Sequence, residues 1–279
     1  TLYHYYDGCG VHIDCPSVLA RKSVGKKVSV SGSYYVDTIS SASIDVVTTG
    51  ASPDGYSEER TQYGVGFDYL RGDTTMSVGY STSEETDYQA DTLNFAINQD
   101  VFGGLTTITL GYGSGADEVS RRGDEVFAEE VDRHAYRLGV TQVITRNLIM
   151  GLSYEAVADE GYLNNPYRSA RYLDPNVAAG FAWEPEVYPN TRNSTAASIN
   201  AQYFVWYRAA IHGMYRYYTD SWGVDSSTVR VAYTHPLGDR WIVEVGYRWY
   251  DQSAADFYSD LFPRENSQNF VGRDKELST

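Results

Sequence analysis

Long apolar runs are absent from this chain. No stretch of about eighteen apolar residues occurs, so the sequence holds no helix able to cross a bilayer. Cysteine is nearly absent too: Cys9 and Cys15 are the only 2 in 279 residues, too few for a disulfide scaffold. Basic residues are in deficit, with 22 Lys and Arg against 37 Asp and Glu, a formal net charge of −15. Nucleic-acid binders normally carry a basic patch or stripe, so that class of partner is excluded. No amphipathic helix lies between the patterned segments. No signal peptide opens the chain either; mature products lose theirs, so this says nothing about compartment. What is abundant is Tyr (26) and Gly (25), with Ser, Thr and Val, a composition of strands and turns.

The strands declare themselves by period. In "RWIVEVGYRWYDQ" (240–252), Trp241, Val243, Val245, Tyr247 and Trp249 fall on one face, and Arg240, Ile242, Glu244, Gly246, Arg248 and Tyr250 on the other. Successive side chains leave a pleated strand on opposite sides, so a period of two reads as a strand with one apolar and one polar face. The same alternation recurs at 27–37, 62–70, 75–81, 92–99, 106–113, 133–143, 148–156, 194–206, 208–218 and 227–235. With 16–24 the count is about twelve strands.

The connections carry the stronger signal. Tight turns at 24–27, 71–74, 100–104, 145–147, 206–207 and 236–239 alternate with longer polar connections at 38–58, 82–91, 114–131, 157–193, 219–226 and beyond 251. A soluble sandwich has no reason to keep every long loop at one end. A transmembrane barrel does, with short periplasmic turns and longer extracellular loops. The spacing therefore predicts an all-β, antiparallel, up-and-down transmembrane β-barrel, a single outer-membrane domain over residues 1–279. Its apolar face meets lipid and its polar face lines a lumen. The alternative for the same alternation is a soluble all-β sandwich. Even strand number in such barrels makes residues 2–7 the upper part of a preceding strand and places both ends of the chain on the long-loop side. It also implies missing terminal strands and a complete barrel of about 14–16.

Long motifs add a resemblance. "YYDG" (5–8), "VSVSGSYYVDTISSASIDVVTTGASP" (28–53), "DEGYLNNPYRSARYLD" (159–174), "HPLGDRWI" (235–242) and "FYSDLFPRENSQNFVGRDKELS" (257–278) resemble a family of Gram-negative outer-membrane β-barrels catalogued only as a domain of unknown function. The resemblance covers nearly the whole chain. It implies a barrel in the outer membrane with further strands past residue 278. It also implies an association with a small lipoprotein, a thioredoxin-like protein and an ApbE-type flavin transferase, encoded nearby. The family is Gly-rich where this chain has Cys9 and Cys15, so no family role passes to them.

Three groups of residues could carry chemistry. Arg208, His212, Arg216, Arg230, Arg240 and Arg248 fall by parity on the polar face of three consecutive strands, with Glu244 among them and Glu155 on its own strand. They form either an Arg–Glu ladder bracing the wall or a basic stripe that favours anionic solutes, and both can hold together. In "CGVHIDC" (9–15), Cys9, His12 and Cys15 permit a disulfide, two unpaired thiols or a soft metal site. A straight strand would hold the two sulfurs' residues about 20 Å apart, so the first and last need a bend. The 157–193 connection, with Arg168, Arg171, Glu184 and Glu186, is long enough to be functional as a constriction, a cap or a partner site. No nucleophile motif appears, and no cofactor is expected; Asp132 and His134 share the face of Tyr136 and read as decoration of the lipid side.

Two functions follow as expectations. One is a porin-like conduit for small, anionic solutes. The other is a plugged scaffold barrel holding a lipoprotein or another periplasmic or outer-membrane partner. The lipid bilayer is a partner in both.

Overall fold

The computed structural model describes residues 1–8, 11–41, 56–238 and 240–279, with backbone alone at 6–8, 11, 12, 39–41, 56–58 and 125. Thirteen strands form one antiparallel sheet. In chain order they begin β1 (Leu2–Gly8), β2 (Val11–Val24), β3 (Val28–Ser41), β4 (Tyr56–Arg71), β5 (Thr74–Glu84) and β6 (Tyr88–Val101). Next come β7 (Thr106–Arg121), β8 (Asp124–Thr145) and β9 (Leu148–Gly161). A short separate hairpin, β10 (Ser169–Leu173) with β11 (Phe181–Pro185), interrupts the series. The sheet resumes with β12 (Thr191–Phe204), β13 (Ala210–Asp220), β14 (Asp225–Leu237) and β15 (Trp241–Gln252). Each strand pairs with its predecessor in the sheet, so the topology is a simple up-and-down meander. The all-β architecture and every strand expected from periodicity are present, including the fragment at 2–7. Among the described residues no pairing joins β1 to β15, which form the two edges.

All six tight turns lie at one end of the sheet. Their shape follows from backbone chemistry. Arg71 pairs with Thr74, so the chain reverses in two residues, and Gly72 takes φ 60° there, a region that costs glycine nothing.

The other end differs from expectation. Connections 82–91, 114–131 and 219–226 are not long loops. β5 and β6 are separated by 85–87, β7 and β8 by 122–123, and β13 and β14 by 221–224, because the strands themselves continue. β8 runs for 22 residues, roughly 70 Å at 3.3 Å per residue, where about ten suffice to cross a bilayer. Periodicity misses these extensions for a physical reason. Charged residues occur on both faces there and the few apolar ones, such as Val119 and Val131, do not alternate regularly, so the pleat persists without a clear apolar–polar contrast to reveal it. The connection at 38–58 falls largely outside the described residues.

The chain ends are also split. The C-terminal segment packs at the far end from the tight turns, as expected. Leu2, however, lies opposite Ser17 in the middle of β2, so β1 begins at mid-height. Only its top reaches the far end.

The sheet has two unlike faces. Large apolar side chains on one face stay uncovered: Val65 is 62% exposed, Leu138 46%, Val245 67% and Tyr247 68%. Tyrosines trace a line across this face, with Tyr34 and Tyr63 ring centroids 5.2 Å apart and Tyr112 and Tyr136 5.3 Å apart. The opposite face is polar and built of two halves. On β3 to β7 it carries mainly Ser, Thr, Gly, Ala and Asn, such as Ser31, Ser33, Gly64, Gly66, Gly79 and Asn94. These interlock closely; a Cβ on Gly64 would come within 2.5 Å of Ser33 Oγ. From β8 to β15 the same face carries arginines and carboxylates.

Candidate functional site

The charged half of the polar face is the candidate site, and strand register assembles it. Arg133, Arg137 and Glu155 come from β8 and β9. Arg216 and His212 come from β13, Arg230 from β14, and Glu244 and Arg248 from β15. Most of the arginines are paired. Arg133 Nε lies 2.6 Å from Asp159 Oδ1, Arg137 Nη2 3.6 Å from Glu155 Oε2, and Arg230 Nη2 3.5 Å from Glu244 Oε1. Arg230 and Glu244 are both more than half exposed, so this pair contributes little to stability. Two cations remain without a carboxylate partner among the described residues. Arg216 lies 5.8 Å from the Tyr218 ring and Arg248 5.7 Å from the Tyr250 ring. Arg248 also stands directly across from Arg230. His212 sits lower on the wall, beside a cleft of about 350 Å³ shared with Asn200, Gln202, Arg230 and Glu244.

The wall does not gather all six residues expected of it. Arg208 is carried by the turn between β12 and β13, at φ 62°, and Arg240 by the turn between β14 and β15. Parity placed them on strands because the alternation runs on into the turn residues. Cys15 is a buried, free thiol that donates to Asp37 Oδ1 at 2.7 Å. Cys9 lies outside the described residues, as does the side chain of His12. Among the described residues no cluster of His, Cys, Asp or Glu has the arrangement of a metal site.

Over the top of this wall sits a cap that the sequence left undefined. Residues 162–190, containing β10 and β11, fold across the polar face and join the segment 253–279. The two are stitched by backbone bonds: Val187 N to Val271 O at 2.9 Å and the reciprocal bond at 2.8 Å, and Phe262 N to Arg171 O at 2.8 Å. Tyr188, Trp222, Val224, Ala255, Phe257 and Leu277 bury one another to form the cap's core. Trp222 is the hub. Its ring meets Tyr188 and Phe257 edge-on at 5.5 and 5.3 Å, Arg192 lies 4.4 Å over it, and its Nε1 donates to Thr191 O at 2.9 Å.

Buried carboxylates lock the cap. Asp220 accepts from Arg192 (2.6 and 2.9 Å), Tyr218 (2.9 Å) and the backbone N–H groups of Trp222 and Val224 (2.9 and 3.0 Å). Glu186 accepts from Arg273 N at 2.8 Å and from the Tyr188 hydroxyl. Glu184 accepts from Asn266 N at 2.9 Å through Oε2. Burial, and then the Glu186 carboxylate, push the Tyr188 phenol far above its usual range. The docked ring thus holds its proton more tightly than an undocked one, so docking is fully stable below pH ~10 and loses free energy as pH rises beyond it. Near-ultraviolet circular dichroism of the cap aromatics should weaken above that pH, and Tyr188→Phe should reduce the dependence, leaving the part due to other phenols such as Tyr258, which burial also pushes up.

On its far side the cap touches the extended β7–β8 hairpin, where Arg122 N donates to Tyr167 Oη at 2.8 Å. Between cap and wall a cleft of about 400 Å³ remains, lined by Asp87, Tyr88, Arg133, Tyr162, Asn164 and Asp274 among others. Of the 157–193 residues singled out from sequence, Arg168 pairs with Asp274 at 2.9 Å, and Glu184 and Glu186 are buried structural acceptors. Sequence reasoning missed Trp222, Phe257 and Leu277, whose partners lie tens of residues away and leave no local signal.

Comparison with known proteins adds little beyond the fold. The siderophore receptor PirA from Pseudomonas aeruginosa is similar at a TM-score of 0.47 and 8% identity, over 87% of this chain and 57% of the receptor. The chain thus spans little more than half of that protein's length, and the likeness is too weak to carry an argument. No curated protein matches. A family profile does match, over residues 20–137 and 128–278, and the chain accordingly belongs to the family described as "Protein of unknown function (DUF3570)".

Proposed function

We propose that this protein is an outer-membrane β-barrel of a Gram-negative bacterium, acting as a conduit for small, anionic solutes with a cap over its mouth. One observation carries the reading: a single meander of thirteen strands is apolar and uncovered along one face and polar along the other, with charge on half of it. In water the apolar face would be a large liability, since exposed apolar patches on soluble monomers are small. Against lipid it is satisfied, and the tyrosine line falls where rings favour the interface. Strands in hydrocarbon need every backbone group paired, so in the membrane both edges of the sheet require strand partners.

Arg216 and Arg248 set the preference for anions, because the other wall arginines are neutralised by neighbours. Replacing both with Glu should move the reversal potential in a salt gradient from anion-favouring to cation-favouring. Arg230→Glu alone should shift it less, since Glu244 already offsets that charge. Unchanged selectivity in the double variant would leave these arginines as bracing.

The cap favours a second reading, a plugged scaffold that binds a lipoprotein or other periplasmic or outer-membrane partner without conducting. Planar-bilayer recordings separate the two. A conduit passes steady single-channel current, and a scaffold stays silent in the wild type and in variants that release the cap.

A further inference from the structure

We propose that the tight-turn rim is a docking surface for the phosphate headgroups of anionic phospholipids. The proposal rests on the membrane-barrel reading and goes beyond it by naming the lipid. Five of the six tight turns or their flanking residues carry exposed cations: Lys22, Lys26 and Lys27 at β2–β3, Arg71 at β4–β5, Arg146 at β8–β9, Arg208 at β12–β13 and Arg240 at β14–β15. Among the described residues of these turns only Asp73 and Asp100 stand against them, so cations predominate there in a chain of net charge −15. The opposite end is acidic, with Glu84, Asp87, Glu118, Asp124, Glu129 and Glu130 on its hairpins. Charge is therefore polarised along the strands.

Aromatic rings supply an independent observation at the same rim. Phe102 is 78% exposed, Trp206 84%, Tyr207 85% and Trp241 72%. Rings this exposed gain nothing in water but are stabilised at headgroup depth, where their apolar bodies and polar edges both find partners. A free inorganic anion would answer the cations and leave the rings unexplained. An acidic protein could meet both, but would need only a few adjacent turns. The cations are instead distributed around the rim, as a continuous headgroup layer requires. Each Lys or Arg near an anionic surface is worth on the order of a fivefold gain in partition at low salt, and the gain is screened as ionic strength rises.

The test uses the full chain reconstituted in phosphatidylcholine vesicles containing a minority of phosphatidylglycerol, with bromine on the acyl chains of one lipid or the other. At low salt, brominated phosphatidylglycerol should quench Trp206 and Trp241 more strongly than brominated phosphatidylcholine at equal mole fraction. High salt should abolish the difference, and Lys26→Gln, Lys27→Gln, Arg146→Gln and Arg240→Gln combined should do so at low salt. Trp206→Phe with Trp241→Phe should remove the phosphatidylglycerol preference, leaving Trp249 of the apolar face quenched alike by both lipids. Heat-modifiable gel mobility is read on every sample. A wild type that does not insert overturns the barrel reading and this proposal with it. A wild type that inserts yet is quenched equally by both lipids overturns the proposal alone. Loss of the phosphatidylglycerol preference on adding polyglutamate would assign the rim to an acidic polypeptide and likewise overturn it.

Discussion

Trp222→Ala should release the cap while leaving the wall intact. The indole touches Tyr188 and Phe257, receives the Arg192 guanidinium on its face and ties its own N–H to Thr191, so its removal opens the centre of the larger of the cap's two described apolar clusters, the one that joins it to the wall; the smaller gathers Ala170, Phe262 and Val271. Truncating a buried tryptophan costs about 3–5 kcal/mol. The Ala170, Phe262 and Val271 cluster lies within the cap and does not include the wall, so the loss falls on the contacts that dock the cap. Three results are expected: faster proteolysis within 162–187, larger steady conductance, and unchanged heat-modifiable mobility. Asp220→Asn should act in the same direction, more weakly, because the amide keeps an acceptor for the Trp222 and Val224 N–H groups but loses the Arg192 charge. If proteolysis rises while conductance stays at the wild-type value, the cap is not what limits the passage.

Leu138→Arg should cost the folded state in vesicles roughly 2–4 kcal/mol, the penalty for a guanidinium near the bilayer midplane. Leu138 lies on β8 between Leu110 of β7 and Tyr154 of β9, on the apolar face and far from either sheet edge. Urea unfolding from vesicles measures the loss. The control is Ser153→Arg on β9, one residue from Tyr154 but on the polar face, which should be tolerated to within about 1 kcal/mol. Equal costs at the two sites would mean that the two faces meet the same surroundings, and the membrane reading would fall.

How much of this was legible in the sequence depended on whether a residue's role is local. The strand pattern was, because apolar and polar residues alternate within each strand and the tight turns punctuate them. Facing of Arg216, Arg230, Arg248 and Glu244 followed from parity alone, and Arg230 does pair with Glu244. Parity failed at Arg208 and Arg240, where the backbone leaves the pleat for a turn. Periodicity failed at 114–121 and 124–131, where strand continues with charged residues on both sides and only scattered apolar ones such as Val119 and Val131. The cap was invisible because Val187 meets Val271 and Glu184 meets Asn266 across more than eighty positions, and nothing near any of them signals it.

The unequal halves of the polar face also give the proposed passage a sideways polarity. The guanidiniums without a carboxylate partner among the described residues, Arg216 and Arg248, stand on β13 and β15, whereas β3 to β7 offer mostly hydroxyls, amides and bare backbone at glycine. Space and charge therefore lie on opposite flanks, and the widest route runs off-centre beside the small residues. The field points across the route rather than along it. A solute anionic on one edge and neutral on the other would be turned before it advanced, its charged edge toward Arg216 and Arg248, and would pass sidelong.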